Sequence, residues 1–183
     1  MERTVCFIGH RNVPDTEEIR EKIRKTVEPL IKDGAIYFLF GTRSNFNNIC
    51  HSVVTSLQEK YPDIKRIAYT CRHEYAVMKE EKEKLEESFS RDFNRPIKFN
   101  DYDGEYDFPA KYTAGKASYV ERNQSMIDNS DFCIFYYQDS YLPPIRESNC
   151  IFLPSYQPNS GTALAYKYAV RKKKTIMNLF ESE

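Results

Sequence analysis

Short apolar runs alternate with longer amphipathic segments along nearly the whole chain. The first run, residues 4–8, is continuous and apolar and stops at Gly9, which is typical of a strand that is buried on both faces. Similar runs recur after most of the amphipathic segments. The six predicted strands span residues 4–8, 35–40, 65–70, 96–100, 132–137 and 175–179.

Helical spacing of apolar residues fills most of the intervals between these runs. Residues 14–18 combine a capping candidate with acids, apolar residues then recur every three or four positions to Ile31, and Gly34 ends the segment. The other four predicted helices span residues 49–57, 73–89, 115–129 and 163–173. Residues 101–113 are acidic and aromatic, and we interpret them as a surface loop. Residues 138–159 contain four prolines and predict a second irregular segment, either a functional loop or a small excursion from the fold.

The alternation of strand and helix is typical of a parallel sheet that helices cover on both faces. We therefore predict an α/β, Rossmann-like fold with a mostly parallel sheet of about six strands, in one domain that spans residues 1–183. Sheets of this kind bind ligands beyond the carboxyl ends of their strands. The residues that follow the predicted strands are therefore the first candidates for a binding site.

Composition narrows the range of partners. The 27 basic and 27 acidic residues cancel, so no net field favours an anionic membrane, and nucleic acid is an unlikely partner. No apolar run is long enough to span a bilayer and no signal-peptide pattern precedes the first strand, so we expect a cytoplasmic protein without a membrane partner. The five cysteines lack zinc spacing, and we expect free thiols, no metal and no cofactor. A homo-oligomer is compatible with all of these patterns.

Arginines follow three of the predicted strands. The stretches concerned are Gly9-His10-Arg11, Gly41-Thr42-Arg43 and Thr70-Cys71-Arg72. Guanidinium groups bind phosphate and carboxylate oxygens in a bidentate geometry, so three arginines at one edge of a sheet predict an anion site. Each arginine alone is also compatible with a surface loop in which it pairs with an acid. His10 could donate to a phosphate or act as an acid, or a neighbouring backbone group could satisfy its ring.

The last predicted helix opens with Ser160-Gly161-Thr162, where we place the ligand. A glycine there lets a ligand approach the backbone, and the first N–H groups of a helix attract anions. Arg122 and Asn123 in the preceding helix are further candidates. A helix-surface position would also explain Arg122, and Asn123 could serve either the ligand or the structure.

Two other charged features have structural explanations. Asp131 is placed to brace the turn into the strand that follows it. The basic run 171–174 ends the last predicted helix, where cations complement the helix dipole and normally face solvent. Neither feature therefore argues for nucleic acid.

Taken in order, these motifs resemble the YpsA-like branch of the SLOG superfamily, which includes the cytokinin-activating LOG phosphoribohydrolases and the DNA-processing protein DprA. The most specific are Gly9-His10-Arg11 and the Arg-Asn-x-x-Met-x-Asp-x-x-Asp run from Arg122 to Asp131. The resemblance extends from Thr4 to about Leu179. It implies a Rossmann-like sheet that binds a nucleotide or nucleotide-derived ligand, and it implies no settled activity for the branch.

Two departures from the family patterns bear on function. Relatives in the branch tend toward Gly-Gly-Ala-x-Gly-x-Asp after the second strand, whereas this chain keeps only Gly41 and has Asn47 at the last position. The LOG enzymes carry a glutamate that takes part in cleaving the N-glycosidic bond, and Ala165 stands at that place here. Alanine can neither protonate a leaving group nor stabilise an oxocarbenium charge.

Three functions follow as hypotheses. The first, which we favour, is binding of a nucleotide or nucleotide-derived phosphorylated molecule, for example an ADP-ribose-like signal, without turnover, through the residues named above and Asn47. The second is a LOG-type nucleoside-monophosphate phosphoribohydrolase that uses Glu121, Asp128 or Asp139 in place of the missing glutamate. The third is a DprA-like DNA-binding protein, which the neutral charge disfavours.

Overall fold

The first strand and helix establish the pattern on which the fold is built. In the computed structural model, which describes residues 2–41, 44–71, 102–108, 111, 116–143, 145 and 160–180, β1 spans Arg3–Gly9 and α1 spans Glu17–Lys32. The Thr16 side chain caps α1 by accepting a hydrogen bond from the N–H of Ile19 at 3.3 Å. Gly34 follows the helix with a φ of 93°, a conformation that glycine adopts without strain.

The remaining elements follow in the predicted alternation. They are β2 (Ala35–Gly41), α2 (Asn45–Gln58), β3 (Lys65–Cys71), β4 (Gly104–Phe108), α3 (Lys116–Asp128), β5 (Phe132–Tyr136), α4 (Gly161–Arg171) and β6 (Thr175–Asn178). Within the described part of the chain, the six strands form one parallel sheet in the order β4-β3-β2-β1-β5-β6. This confirms the α/β, Rossmann-like fold.

Helices cover both faces of the sheet. On one face α1 and α2 pack over an aromatic layer in which the ring of Phe7 lies 6.2 Å from that of Phe38 and 5.0 Å from that of Phe40. On the other face α3 and α4 bury a second apolar cluster that includes Met126 and Phe135. Each fully buried side chain of this size contributes about 1.5–3 kcal/mol, so these two layers hold the strand ends in place.

Cysteines take part in this packing as free thiols. Cys6 of β1 and Cys133 of β5 lie in register on neighbouring strands, and both are fully buried, as is Cys50 of α2. The prediction of free thiols is confirmed for these three. Burial raises the pKa of Cys50 well above its ordinary value, which keeps it in the thiol form.

The fourth strand does not lie where the sequence analysis places it. The interpretation of residues 101–113 as a surface loop is wrong for Gly104–Phe108, which pair with β3 at the edge of the sheet. Acidic and aromatic residues alternate in this stretch, and that period of two suits a strand. The Tyr106 ring lies 4.7 Å from the Tyr69 ring of β3. The predicted strand at 96–100 and the predicted helix at 73–89 lie outside the described residues.

Candidate functional site

The strand order creates a crevice at the carboxyl edge of the sheet. From β1 the chain adds β2, β3 and β4 on one side, and it then returns to place β5 on the other side of β1. The connections that leave β1 and β5 lead to helices on opposite faces, so they part at the carboxyl ends of these two strands. Residues that directly follow Gly9 and Tyr136, which pair in register, are therefore at this crevice.

His10 lies at the crevice and is almost fully buried, with 3% of the residue exposed. Its backbone N–H donates to the carbonyl of Tyr136 at 3.2 Å, and its ring Nε2 accepts from the backbone N–H of Gln138 at 2.9 Å. The ring of Tyr141 covers the imidazole at a centroid distance of 4.1 Å. Backbone therefore satisfies Nε2, but Nδ1 is buried and has no hydrogen-bond partner among the described residues.

The imidazole of His10 is neutral at physiological pH. Burial lowers its pKa from an ordinary value that is already below 7. Protonation would also turn Nε2 from an acceptor into a donor that faces the N–H of Gln138. His10 therefore presents an uncharged ring at the crevice, and Gln138 already uses its Nε2.

Gly9 is required by packing. A Cβ at this position would lie 2.4 Å from Cδ1 and 2.8 Å from Cβ of Phe46, which is fully buried in the first turn of α2. The missing side chain therefore lets α2 begin directly against β1. The N–H of Asn45 also donates to the carbonyl of Arg11 at 3.1 Å, which ties this turn to the segment after β1. Arg11 itself is exposed.

Arg122 of α3 lies against the carboxyl end of β2. A Cβ on Gly41 would be 3.0 Å from Nη2 and 3.2 Å from Cζ of its guanidinium. Arg122 is only 7% exposed, and its guanidinium lies over the ring of Tyr119 at 5.2 Å. The alternative that Arg122 is a helix-surface charge is therefore wrong. Asn123, next to it on α3, is half-buried.

Asn47 links the end of β2 to the residue that precedes α2. Its amide oxygen accepts from the N–H of Gly41 at 3.0 Å, and its amide nitrogen donates to the Ser44 hydroxyl at 2.6 Å. Ser44 also caps α2 by accepting from the N–H of Asn47 at 3.1 Å. These bonds join the end of β2 to the start of α2. Those two predicted site residues, like Arg72, lie outside the described part of the chain.

The first turn of α4 lies at the same edge because this helix follows β5. The Ser160 hydroxyl caps it by accepting from the N–H of Ala163 at 3.3 Å, and both Ser160 and Thr162 are buried. Gly161 is exposed, and a Cβ there would meet nothing within 4 Å. Packing therefore requires a glycine at position 9 but not at position 161.

Two of the carboxylates considered as substitutes for the missing glutamate are bonded within the protein. Asp128 accepts from the hydroxyl of Tyr168 at 2.7 Å and pairs with Lys172 at 3.2 Å. Asp139 accepts from the hydroxyl of Tyr137, and this bond raises the pKa of that tyrosine to about 12. Ala165 is 3% exposed and belongs to the apolar cluster beneath α4. The third carboxylate, Glu121, is half-buried on α3.

Three more residues at this edge were not among the site residues predicted from the sequence. Gln138 and Tyr141 follow β5 and hold the His10 ring, and the available signal was their position just after the most apolar predicted strand. Thr70 near the end of β3 is also buried, and its Oγ1 has no hydrogen-bond partner in the described ranges. Only the packed sheet identifies it, because threonine is an ordinary strand residue.

Charged residues at the opposite edge have structural roles. Asp131 accepts from the N–H of Thr4 and donates its own N–H to the Thr4 carbonyl, both at 2.8 Å, which confirms the predicted brace. In the basic run, residues 171–173 are exposed as expected, but Lys174 is half-buried. Its Nζ donates to the carbonyls of Asp128 and Ser130 at 3.0 and 2.8 Å and so anchors the end of α3.

A groove of about 230 Å³ lies over β2, β3 and β4, lined in part by Tyr37, Tyr69 and Tyr106. No side chain described there is both buried and without a hydrogen-bond partner, so we place the candidate site at the carboxyl edge. In the described ranges, no three histidine, cysteine or carboxylate side chains are grouped to hold a metal ion. None of the helices within those ranges has the length and apolarity that crossing a membrane requires.

The chain matches a known protein family over most of its length. The profile of the YspA SLOG family, named YpsA, matches residues 7–144, which run from β1 past the end of β5. The chain belongs to this family. The resemblance to the YpsA-like branch of the SLOG superfamily is thereby confirmed. A search among curated proteins found no match to this SLOG chain.

Two solved structures of DNA processing protein A share the fold of this SLOG family member. The protein from Streptococcus pneumoniae gives a TM-score of 0.54 at 13% identity, over 99% of this chain and 51% of that one. The protein from Helicobacter pylori, described for its single-stranded DNA binding mode, gives a TM-score of 0.51 at 17% identity. The match covers 99% of this chain and 68% of that one. This chain thus spans about half the length of the Streptococcus protein. Identities this low show a common fold alone.

Proposed function

We propose that this SLOG family member binds a nucleotide or nucleotide-derived phosphorylated small molecule at the carboxyl edge of its sheet and does not turn it over. An ADP-ribose-like signal is one such ligand. The observation that carries the proposal is the buried Nδ1 of His10, which lies at the topological switch point without a hydrogen-bond partner in the described residues. Folded proteins rarely leave such an atom unsatisfied, and a ligand oxygen would satisfy it.

The surrounding groups favour an anionic ligand. Arg122 supplies a buried guanidinium at the end of β2, and guanidinium groups match phosphate oxygens bidentately. The first turn of α4 adds N–H groups and the Thr162 hydroxyl at the same edge, where the helix dipole also favours negative charge. Arg11, Asn123 and Gly161 stay in the proposal as further contacts, and Gly9 and Asn47 shape the two turns.

Binding without turnover follows from the carboxylates. Hydrolysis of an N-glycosidic bond needs a group that protonates the leaving base or stabilises the developing charge. Ala165 stands at the position of the LOG glutamate and is packed into the apolar cluster. Asp128 and Asp139 are bonded to Tyr168 and Tyr137, so neither is poised for that chemistry.

A single strand of DNA is the alternative that the Helicobacter pylori structure raises, because that protein is described by its single-stranded DNA binding mode. DNA binding depends largely on cations that neutralise several phosphates, and this chain has a formal net charge of +0. One buried arginine and a helix start fit one small phosphorylated ligand better than a long backbone.

A thermal-shift screen tests the proposal directly. The purified chain is heated with AMP, ADP, ADP-ribose, inorganic phosphate or a single-stranded oligonucleotide. A nucleotide at about 100 times its Kd should add roughly 2.7 kcal/mol of stability, which raises the melting temperature by several degrees. If no nucleotide raises it, or only the oligonucleotide does, the proposal is wrong. Release of free base in the same mixtures, detected by chromatography, would contradict binding without turnover.

A further inference from the structure

Resting on the proposed function, we infer that the protein locks His10 in the Nδ1–H tautomer, so that Nδ1 donates a hydrogen bond to an acceptor oxygen of the ligand. His10 is then a specificity-determining residue of the crevice. The chemical class that it selects is a group with lone pairs and no hydrogen of its own, such as a non-bridging phosphate oxygen.

The tautomer follows from one backbone contact. A neutral imidazole has one nitrogen that carries hydrogen and one that carries a lone pair. The N–H of Gln138 points at Nε2 of His10 over 2.9 Å, so Nε2 must hold the lone pair. The hydrogen is therefore on Nδ1. The preference belongs to the fold, because Gln138 lies two positions after Tyr136, the last residue that pairs β5 with β1.

Two tyrosine rings enclose the imidazole that carries the unused Nδ1–H donor. The Tyr141 ring lies against the imidazole at 4.1 Å, and the Tyr137 ring lies 6.0 Å away at an angle of 42°. His10 is 3% exposed, and its Nδ1 has no hydrogen-bond partner in the described ranges. A buried donor without an acceptor is unfavourable, so the arrangement favours a ligand that brings one.

Selectivity follows because the unused group, Nδ1–H, is a hydrogen-bond donor. An oxygen of a phosphate can accept from Nδ1–H, whereas an ammonium or amide N–H would place two donors against each other. Because the ring is neutral, it supplies direction to the hydrogen bond, and the charge that attracts the ligand comes from Arg122 at the end of β2.

The tautomer can be observed without any ligand. Nitrogen-15 spectra of the imidazole rings distinguish Nδ1–H from Nε2–H, and the resonances of His10 are those lost in a His10→Gln variant. We expect the Nδ1–H form in the free wild-type protein at neutral pH. An Nε2–H form would overturn the inference, whatever the protein binds.

Two substitutions of His10 distinguish the role of Nδ1 as a donor from the role of Nε2 as the acceptor for Gln138. In the same side-chain orientation, the amide of asparagine reaches the place of Nδ1 and the amide of glutamine reaches that of Nε2. His10→Gln should keep the acceptor for Gln138 and hence nearly the wild-type melting temperature, but should bind ADP-ribose or AMP about tenfold more weakly. His10→Asn should keep affinity within a few-fold and should melt earlier.

Calorimetric titration of folded variants with ADP-ribose and with AMP decides between these outcomes. Equal affinity of His10→Gln and wild type would overturn the role of Nδ1 while the proposed function stands. Loss of binding in both variants, with His10→Asn no better than His10→Gln, would show that the ring matters only for structure. Absence of wild-type binding to both compounds and to inorganic phosphate would remove the proposed function, and the ligand role of Nδ1 with it.

Discussion

Polar side chains at the two edges of the sheet differ in their hydrogen-bond partners. At the amino edge, Asp131 exchanges hydrogen bonds with the backbone of Thr4, and Asp103 accepts from the N–H of Arg66 at 2.8 Å and from its guanidinium at 3.0 and 3.1 Å. Gln58 donates a fourth hydrogen bond to Asp103 at 2.9 Å. Each aspartate stands just before a strand and joins it to the neighbouring strand. Polar groups at this edge serve to hold the sheet together.

At the carboxyl edge, Asn47 and Nε2 of His10 have such partners, but two other buried polar atoms do not. Nδ1 of His10 and Oγ1 of Thr70 have none among the described residues, although both residues are 3% exposed. Arg122 is buried at this edge with its guanidinium beside Gly41, and Arg66 is buried at the other edge with its guanidinium on the carboxylate of Asp103. This difference supports the proposed binding site at the carboxyl edge, which is where parallel sheets of this kind bind ligands.

The largest expected effect is that of a side chain at Gly9. Gly9→Ala would place a Cβ 2.4–2.8 Å from three atoms of Phe46, so α2 must shift, and we expect a loss of about 3 kcal/mol in unfolding free energy. The matched control is Gly161→Ala, which meets nothing within 4 Å and should leave stability unchanged or raise it by up to about 1 kcal/mol. Urea denaturation measures both. Equal effects of the two substitutions would contradict the packing role of Gly9.

The next effect concerns the amino edge. Asp103→Asn would leave Arg66 without its carboxylate, and we expect a loss of about 2 kcal/mol in unfolding free energy with unchanged affinity for nucleotide. The control is Asp33→Asn, which removes an exposed pair with Arg3 and should change stability by less than about 1 kcal/mol. A marked loss of affinity in folded Asp103→Asn would mean that the amino edge also takes part in binding.

A conservative substitution of each buried arginine sharpens the comparison. Arg122→Lys would lose the planar fork at the carboxyl edge, and we expect affinity for nucleotide to fall about tenfold. Arg66→Lys would lose the same fork at the amino edge, where we expect a lower melting temperature and normal affinity. Calorimetric titration and thermal melts of both variants give the comparison. If both variants lose affinity equally, the division between the edges is wrong.

The smallest effect is a pH dependence. The pKa of His10 is lowered by burial, so between its folded value and the ordinary value of about 6.5 the unfolded chain binds more protons. Unfolding free energy should therefore fall as pH decreases through this window, and it should fall less in His10→Gln. Denaturation curves at about pH 7.5 and about pH 5.5 measure the difference. If the unfolding free energy of wild type and of His10→Gln changes equally between these two pH values, His10 is not buried as a neutral ring.

Asp103 and Glu28 act in a separate, lower window of pH. Hydrogen bonds from Arg66 lower the pKa of Asp103, and those from Lys60 and Tyr61 lower the pKa of Glu28 to about 2. Their stabilising contributions are present above their ordinary pKa values, near about 4, and are lost as pH falls below them. They therefore do not obscure the contribution of His10.

Hydrophobic periodicity was sufficient to predict five of the strands and the four described helices, because buried runs and amphipathic segments carry the packing pattern in one dimension. It failed at β4, where the alternation of acidic and aromatic residues in Gly104–Phe108 looked like loop composition. An edge strand buries less apolar surface than a central strand, so its pattern is weaker.

The candidate site was predictable in part. Motif position identified His10 and the start of α4, since both follow strands in a parallel fold. The burial of Arg122 could not be predicted from the sequence, because an arginine on a helix is usually exposed. Only the folded structure shows its guanidinium packed against Gly41. The state of each His10 nitrogen depends on Gln138, which is 128 positions away in the chain. No local pattern contains that information.

The most direct test of the difference between the two edges is a map of amide chemical shifts during titration with ADP-ribose. The account predicts saturable changes at His10, Gln138 and the 160–162 turn, at the carboxyl edge. It predicts none at Thr4, Asp103 and Asp131, whose backbone bonds close the amino edge. Changes centred on these three amides, or over the groove beside Tyr37 and Tyr106, with His10 unmoved, would contradict it.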